Sequence, residues 1–458
     1  MSKITTEPTK LLPKLGLLGV VFFGLAYMGP NVAAATFGIV ADKSSGAAPT
    51  AYLLATGAML FTAVAYAVLA REYPSSGSAY TYVGRLLGKV TGFFAGWVIL
   101  LDYLFLPMVL WLLVSTYMNA QFPGIPIWAW LILLIAGTTI VNIMGVVLAD
   151  RVNTLFLIGS LLAVAATIVA VLLWIGRGNS VDVSRAIWND QTSLTAVGSA
   201  AAVAAYSFLG FDAISTLAEE TRNPSRNIPL GIILAVVIGG AIFVVVSLLM
   251  QFVYPGGDFK DPDTAGYLVT RIAGGEIFAN VRNIVVNVTT FGSAVAIQAT
   301  SSRLLYVMGR DGVLPRSVFG RLSRAFRVPW VNILVIAAIG CLAMLLDINT
   351  ATSMINFGAF LAFVLVNIAF GVWIWKNRRG RWSLLVMILV TLVPIIGAIV
   401  DLYLFSLLSP AAYVVGCGWL ILGVIILVVR TRGFRQPVPR LADVDDPAVG
   451  EPQPVDHV

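Results

Sequence analysis

Histidine and cysteine are almost missing from this 458-residue sequence, which has one His, at position 457, and two Cys, Cys341 and Cys417, both inside apolar runs. That scarcity sets aside histidine-based acid–base catalysis, a zinc site and a disulfide framework. Charge is scarce too, at 11% of residues against roughly 25% in a soluble domain. No P-loop occurs, so neither ATP nor another cofactor is expected, and no metal. What fills the sequence is apolar surface: 59% of side chains are hydrophobic, mean hydropathy is +0.92, and whole windows of twenty or more residues carry no charge. Such windows take the bilayer as their solvent. Spans of about 20 residues with short loops make this length one polytopic unit rather than several soluble domains.

Apolar runs bounded by charge and by Pro or Gly predict twelve transmembrane helices, at about 14–40, 48–70, 89–118, 125–146, 152–175, 192–219, 228–253, 276–308, 329–346, 350–375, 382–407 and 409–429. The first run contains Ala33, Ala34 and Ala35 after three lysines, but it continues past them and further spans follow, which argues against a cleaved signal peptide. With the N-terminus inside, 23 of the 29 Lys and Arg fall on the cytoplasmic side, leaving Lys43, Arg177, Arg185, Lys260, Arg271 and Arg282 outside. Both termini are therefore expected in the cytoplasm. This sorting also accounts for the net charge of +7 without nucleic acid as a partner. Residues 1–13 read as a cytoplasmic arm, 14–430 as a single membrane domain, and 431–458, rich in Pro and Asp, as a disordered tail.

Two of the spans carry breaks. The first reads GVVFFGLAYMGPNVAAATFG, with Gly24, Gly29 and Pro30 near its middle; the sixth reads AAYSFLGFDAISTLAEE, with Gly210 beside Asp212. Proline removes a backbone donor and glycine loosens the turn, both costly at mid-membrane unless the break lines a cavity or is packed by neighbours. Spans one and six open two sets of five, 14–175 and 192–375, and an odd number per set inverts the second. Matching breaks in inverted repeats point to a midplane binding site between them.

These residues carry a family resemblance. GFDAISTLAEETRNPSRNIP (210–229) and SRLLYVMGRDGVLP (302–315) resemble signatures of the amino acid, polyamine and organocation (APC) transporter superfamily. GSAYTY (77–82), LLDYLFLPM (100–108), SFLGFDA (207–213), FKDPD (259–263) and INFGA (355–359) look most like bacterial putrescine importers. The resemblance implies an all-α polytopic fold of the LeuT type, a 5+5 inverted repeat with discontinuous helices 1 and 6 and two further helices outside it. It also implies substrate contacts from Ala26, Tyr27, Met28 and Gly29, and from Ser207, Phe208, Leu209, Gly210 and Phe211, with helices 3, 8 and 10 contributing. Some members carry a coupling lysine on helix 5; at the matching position this chain has Ser160.

Asp102 lies about a dozen residues into the third span, with no Lys or Arg between Lys89 and Arg151. An acid there costs on the order of 2.5–3.5 kcal/mol, and reads either as a carboxylate for a substrate ammonium or proton, or as a buried structural acid. Asp212 is either a second such carboxylate or the cap of the half-helix after the break. Tyr27, Tyr103, Phe208 and Phe211 are expected to wall the site and stack on an ammonium, or else to pack in the core. Glu219, Glu220 and Arg222 read as an inner gate. Gly88, Gly92 and Gly96 read as close helix packing, and the hydroxyls of Ser293, Thr300, Ser301 and Ser302 as satisfying their own helix rather than a sodium ion. The expectation is a secondary importer of a small amine such as putrescine, working by alternating access in the cytoplasmic membrane, with protons as a candidate coupling ion; an amino acid permease on the same fold is the rival. A channel or an enzyme would need a continuous polar pore or a catalytic cluster, and the sequence offers neither.

Overall fold

The computed structural model describes residues 15–75, 77–145, 150–310, 314–323, 326, 328–377, 384–433 and 435–436. The predicted arm, residues 1–13, and the predicted tail from 437 onward lie outside them. Helix dominates in chain order: α1 (Leu17–Met28), α2 (Val32–Ala35), α3 (Phe37–Lys43), α4 (Ala48–Glu72), α5 (Ser78–Leu87), α6 (Lys89–Gln121), α7 (Ile127–Ile143), α8 (Asp150–Gly176), α9 (Val183–Ile187), α10 (Leu194–Ala204), α11 (Pro224–Val253), α12 (Ala265–Gly274), α13 (Glu276–Arg310), α14 (Arg316–Phe319), α15 (Trp330–Gly340), α16 (Ile348–Asn377), α17 (Leu384–Ser406) and α18 (Pro410–Arg430). Among the described residues nine helical segments are long and apolar enough to cross a membrane, and Ile127–Ile143, Trp330–Leu345 and Thr391–Ser406 are shorter apolar helices.

Among the described residues each apolar run read from the sequence is occupied largely by helix. What periodicity did not indicate are the short helices α5, α9, α12 and α14, which lie in segments read as connections.

The breaks fall where glycine and proline put them. Helix α1 ends at Met28 because Gly29 turns to φ +71°, and Pro30 has no N–H with which to continue the ladder. Helix α10 tightens into a 3-10 turn at Ala205–Phe208, opens at Leu209–Phe211 with Gly210 at φ +114°, and resumes as a 3-10 helix over Asp212–Glu220. The two breaks touch. A Cβ on Gly210 would collide with the Tyr27 ring, so only glycine lets the two broken segments approach this closely.

One end of the molecule is tied by backbone. The Leu15 N–H donates to the Glu220 carbonyl at 3.0 Å and the Arg222 N–H to the Leu15 carbonyl at 2.8 Å, a parallel bridge joining the entry of α1 to the exit of the 3-10 segment. At the other end α3 fits under the loop after α11, with Phe259 edge-on to Phe37 at 5.9 Å and stacked on Tyr254 at 4.3 Å.

Candidate functional site

Asp102 sits on α6 with its side chain buried, and its Oδ1 has no hydrogen-bond partner. Five residues on, Pro107 lies inside the same helix. Lacking an N–H, it leaves the carbonyl four residues back, that of Tyr103, without its helical donor. Ser301 Oγ of α13 donates to that carbonyl at 2.5 Å. The break in the ladder of α6 is thus closed by a side chain from another helix, and Asp102 stands one residue from the closure. On the opposite flank, Gly358 of α16 lies so close that a Cβ there would strike the Val98 carbonyl of α6.

Asp212 opens the 3-10 segment after the second break, and its Oδ1 accepts the Gly210 N–H at 3.2 Å. The carboxylate therefore reaches back into the break from the first residue of the turn that follows. Asp102 lies within electrostatic range of Asp212, and Tyr27, Tyr103 and Tyr206 lie within range of Asp102. Two acids from different helices, with tyrosines around them, form one cluster beside both breaks.

The remaining site residues sort by accessibility. Ala26, Tyr27, Gly29 and Tyr103 are part-exposed, whereas Met28, Ser207, Phe208, Leu209 and Phe211 are buried. Phe208 meets Phe243 edge-on at 5.2 Å, and Phe211 packs between Tyr66 and Phe363 at 5.6 and 5.3 Å. The two phenylalanines belong to the core, and the two tyrosines keep accessible surface. Met28 fills the space above Gly239 of α11. The Ser207 hydroxyl is buried with no hydrogen-bond partner.

Several backbone donors at the breaks are already engaged. Gly29 N–H bonds Leu25 O at 3.0 Å, Val32 N–H bonds Gly29 O at 2.9 Å, Leu209 N–H bonds Tyr206 O at 3.2 Å and Phe211 N–H bonds Phe208 O at 3.3 Å, while Gly210 is taken by Asp212. Among the described side chains at the site, the Asp102 Oδ1 acceptor and the Ser207 hydroxyl are the buried polar atoms without a hydrogen-bond partner.

Other expectations separate in the same way. The Ser293, Thr300 and Ser302 hydroxyls bond their own helix at Thr289, Ala296 and Ala299 carbonyls, and Ser301 does so at Ile297 as well as reaching Tyr103. Gly92 packs on the Gly84 backbone, as expected of a small residue, but Gly88 is the bend between α5 and α6, at φ +105°, with open space where a Cβ would be. Glu220 and Arg222 are exposed and meet the entry of α1 through their backbones; the Glu219 side chain lies outside the described residues.

Arg282, one of the cations that charge sorting puts outside, is buried on α13, its Nε donating to Thr167 Oγ1 at 2.6 Å and its Nη2 to Asn31 Oδ1 at 3.1 Å. Asn31 in turn donates to Ser160 Oγ at 2.8 Å and Ser160 O at 2.7 Å. A polar junction thus joins the first break to α8 and α13, with Asn31 at its centre, bonded to both Ser160 and Arg282. Reading the sequence singles out Arg282 and Ser160 separately but not their junction, and it passes over Asn356, whose Oδ1 on α16 is buried without a partner among the described residues, because uncharged Asn31 and Asn356 do not stand out in apolar runs.

Residues 19–439 match the family described as amino acid permease. The chain belongs to that family. It is 37% identical over 443 residues to the low-affinity putrescine importer PlaP of Escherichia coli K12, covering 96% of this chain and 98% of that protein. It is 28% identical over 447 residues to the branched-chain amino acid permease BcaP of Bacillus subtilis, covering 93% and 95%. It is 26% identical over 434 residues to the methylthioribose transporter of the same species, covering 88% and 90%. This amino acid permease homologue is a multi-pass membrane transporter and not an enzyme.

Proposed function

We propose that the protein imports a small organic diamine such as putrescine across the cytoplasmic membrane by alternating access. The three shorter apolar helices complete twelve spans, arranged as a 5+5 inverted repeat of the LeuT type with α17 and α18 outside it and both termini in the cytoplasm. In this reading the substrate lies beside the two breaks, with one ammonium on Asp102 and the other near Asp212, and Tyr27 and Tyr103 offer their ring faces. The bridge between Leu15 and Thr221 then lies on the cytoplasmic side and belongs to the inner gate, with Glu219, Glu220 and Arg222 around it.

The observation that carries the amine over the amino acid is the state of the breaks. A substrate carboxylate would need free backbone N–H groups there. Those at Gly29, Leu209, Gly210 and Phe211 are taken by protein acceptors, whereas the Asp102 carboxylate has an oxygen with no donor. An ammonium supplies donors and a carboxylate does not. The likeness to PlaP points the same way, and the likeness to BcaP keeps an amino acid permease as the rival.

The test is uptake of radiolabelled putrescine into proteoliposomes with an inside-negative potential, competed by diamines and by amino acids. Saturable uptake blocked by diamines but not by leucine or isoleucine supports the reading. Transport of an amino acid with no putrescine uptake would reject it.

A further inference from the structure

A third intramembrane acid lies away from the breaks. Asp401 is fully buried on α17, and its Oδ2 accepts from Thr62 Oγ1 of α4 at 2.8 Å and from Asn367 Nδ2 of α16 at 3.0 Å. Asn367 Nδ2 also faces Thr62 Oγ1 at 2.9 Å and the Phe363 carbonyl at 3.1 Å, which fixes the amide with its nitrogen toward these acceptors. That leaves two oxygens, Asp401 Oδ1 and Asn367 Oδ1, buried with no hydrogen-bond partner. Gly397, one turn before Asp401, makes room for the amide, since a Cβ there would lie 2.6 Å from Asn367 Oδ1. The trio therefore has a surplus of acceptors and a deficit of donors.

Among the described residues the surroundings supply no counter-charge. On α4 the titratable group near Asp401 is Tyr66, whose buried hydroxyl has no partner and which lies within electrostatic range of both Asp401 and Asp212. The charges of α4, Arg71 and Glu72, and Lys376 of α16 stand at helix ends, nine or more residues from Thr62 and Asn367, roughly 13 Å along the axis. Helix α10, also packed on α17, has no charged residue, and Asp401 is the charged residue of α17 itself. An ionised carboxylate without a cation in so dry a place is costly; a proton on the free oxygen removes the charge and adds the missing donor.

We propose that Asp401, held by Thr62 and Asn367, is a proton-binding site distinct from the substrate site, and that its proton is the one coupled to transport. The coupling half rests on the transporter reading above; the binding half does not. Tyr66 packs edge-on against Phe211, next to Asp212, and against Phe363, one turn before Asn367, and so gives the two sites a shared neighbour. On uptake a hydronium ion gives up a proton, leaving water, and the Oδ1–H bond of Asp401 forms; on release that bond breaks and the proton returns to water.

Two measurements on the purified full-length protein test this. Infrared difference spectra of wild type against Asp401→Asn, in H2O and D2O at neutral pH, should contain the carbonyl stretch of a buried protonated acid that the variant lacks; spectra without such a band overturn the binding site. In proteoliposomes at fixed potential, an inward proton gradient should raise putrescine uptake by wild type, and Asp401→Asn should lose that increment; an increment retained by the variant, or absent from wild type, overturns the coupling. Should Asp401→Asn fail to fold, Thr62→Val removes one donor and should shift the same band, and an unshifted band overturns the assignment. Wild type that takes up no putrescine fails the substrate reading alone, because the infrared result still decides Asp401.

Discussion

Asp102 Oδ1 is a buried acceptor without a donor, and a charge-assisted hydrogen bond from a substrate ammonium is worth about 1.5–3 kcal/mol. Replacing Asp102 by Asn keeps the shape and removes the charge, so apparent affinity for putrescine should weaken about 10- to 150-fold while the protein still folds. Uptake kinetics on the variant, beside its elution as a monodisperse species in detergent, check this, and unaltered affinity would remove Asp102 from the substrate. A second prediction concerns the closure of α6. Ser301→Ala removes the donor that Pro107 obliges Tyr103 O to find elsewhere, and should cost about 1–3 kcal/mol of stability. A lower melting temperature for Ser301→Ala is expected, with the neighbouring Thr300→Ala nearly neutral because the Thr300 hydroxyl bonds its own helix. At this scale the sequence was legible where chemistry is loud. Asp102 and Asp212 stand out as acids within apolar runs, whereas Asp401, an acid in the eleventh run without a break or motif beside it, does not, and Tyr66, Asn367 and Asn31 are ordinary residues there whose partners only placement in space gives.

At the scale of elements, glycine and proline made the two discontinuities visible before any coordinates, since Gly29, Pro30 and Gly210 each break a helical ladder for a stated reason. Contact between the breaks was not legible, because it depends on Tyr27 meeting Gly210 across 183 positions of sequence. Nor were the partners of Arg282 legible, since counting Lys and Arg gives each a side but not the Asn31 and Thr167 that satisfy this one inside the bundle. The connection between α11 and α13 carries a prediction of its own. Asp263, in the short 3-10 turn before α12, is pushed up from 3.8 to about 6, first by burial and then by the neighbouring carboxylates of Asp261 and Asp347. Between those values the folded protein holds a proton that the unfolded chain has released, so stability falls as pH rises through about 4 to 6 and stays at the lower level above it. Asp263→Asn should flatten that part of the curve. Melting temperatures across this range for both proteins are the measurement, and identical slopes would sink the assignment.

For the whole molecule the question is what drives accumulation, and the charge of the substrate answers much of it. Moving one elementary charge across 100 mV is worth about 2.3 kcal/mol, so a dication entering a negative interior gains about 4.6 kcal/mol. At about 1.4 kcal/mol per decade that supports an accumulation of roughly a thousandfold with no other ion. If the substrate carries two charges and nothing else moves with it, the logarithm of the steady-state ratio should rise linearly with imposed potential, with the slope of two charges. If the proton on Asp401 moves inward as well, the slope should become that of three, and an opposing pH gradient should lower the plateau in proportion. Measuring the plateau at several potassium diffusion potentials, with the pH gradient clamped at zero and then imposed, separates these outcomes. A slope of one charge would match neither and would instead mark exchange of the dication for a cation leaving the interior, or a singly charged substrate. The slope therefore reads substrate charge and coupled protons together, and the pair of curves divides them: the Asp401→Asn protein should fall from the three-charge line to the two-charge line, whereas Asp102→Asn should change the concentration needed to reach the plateau rather than its slope.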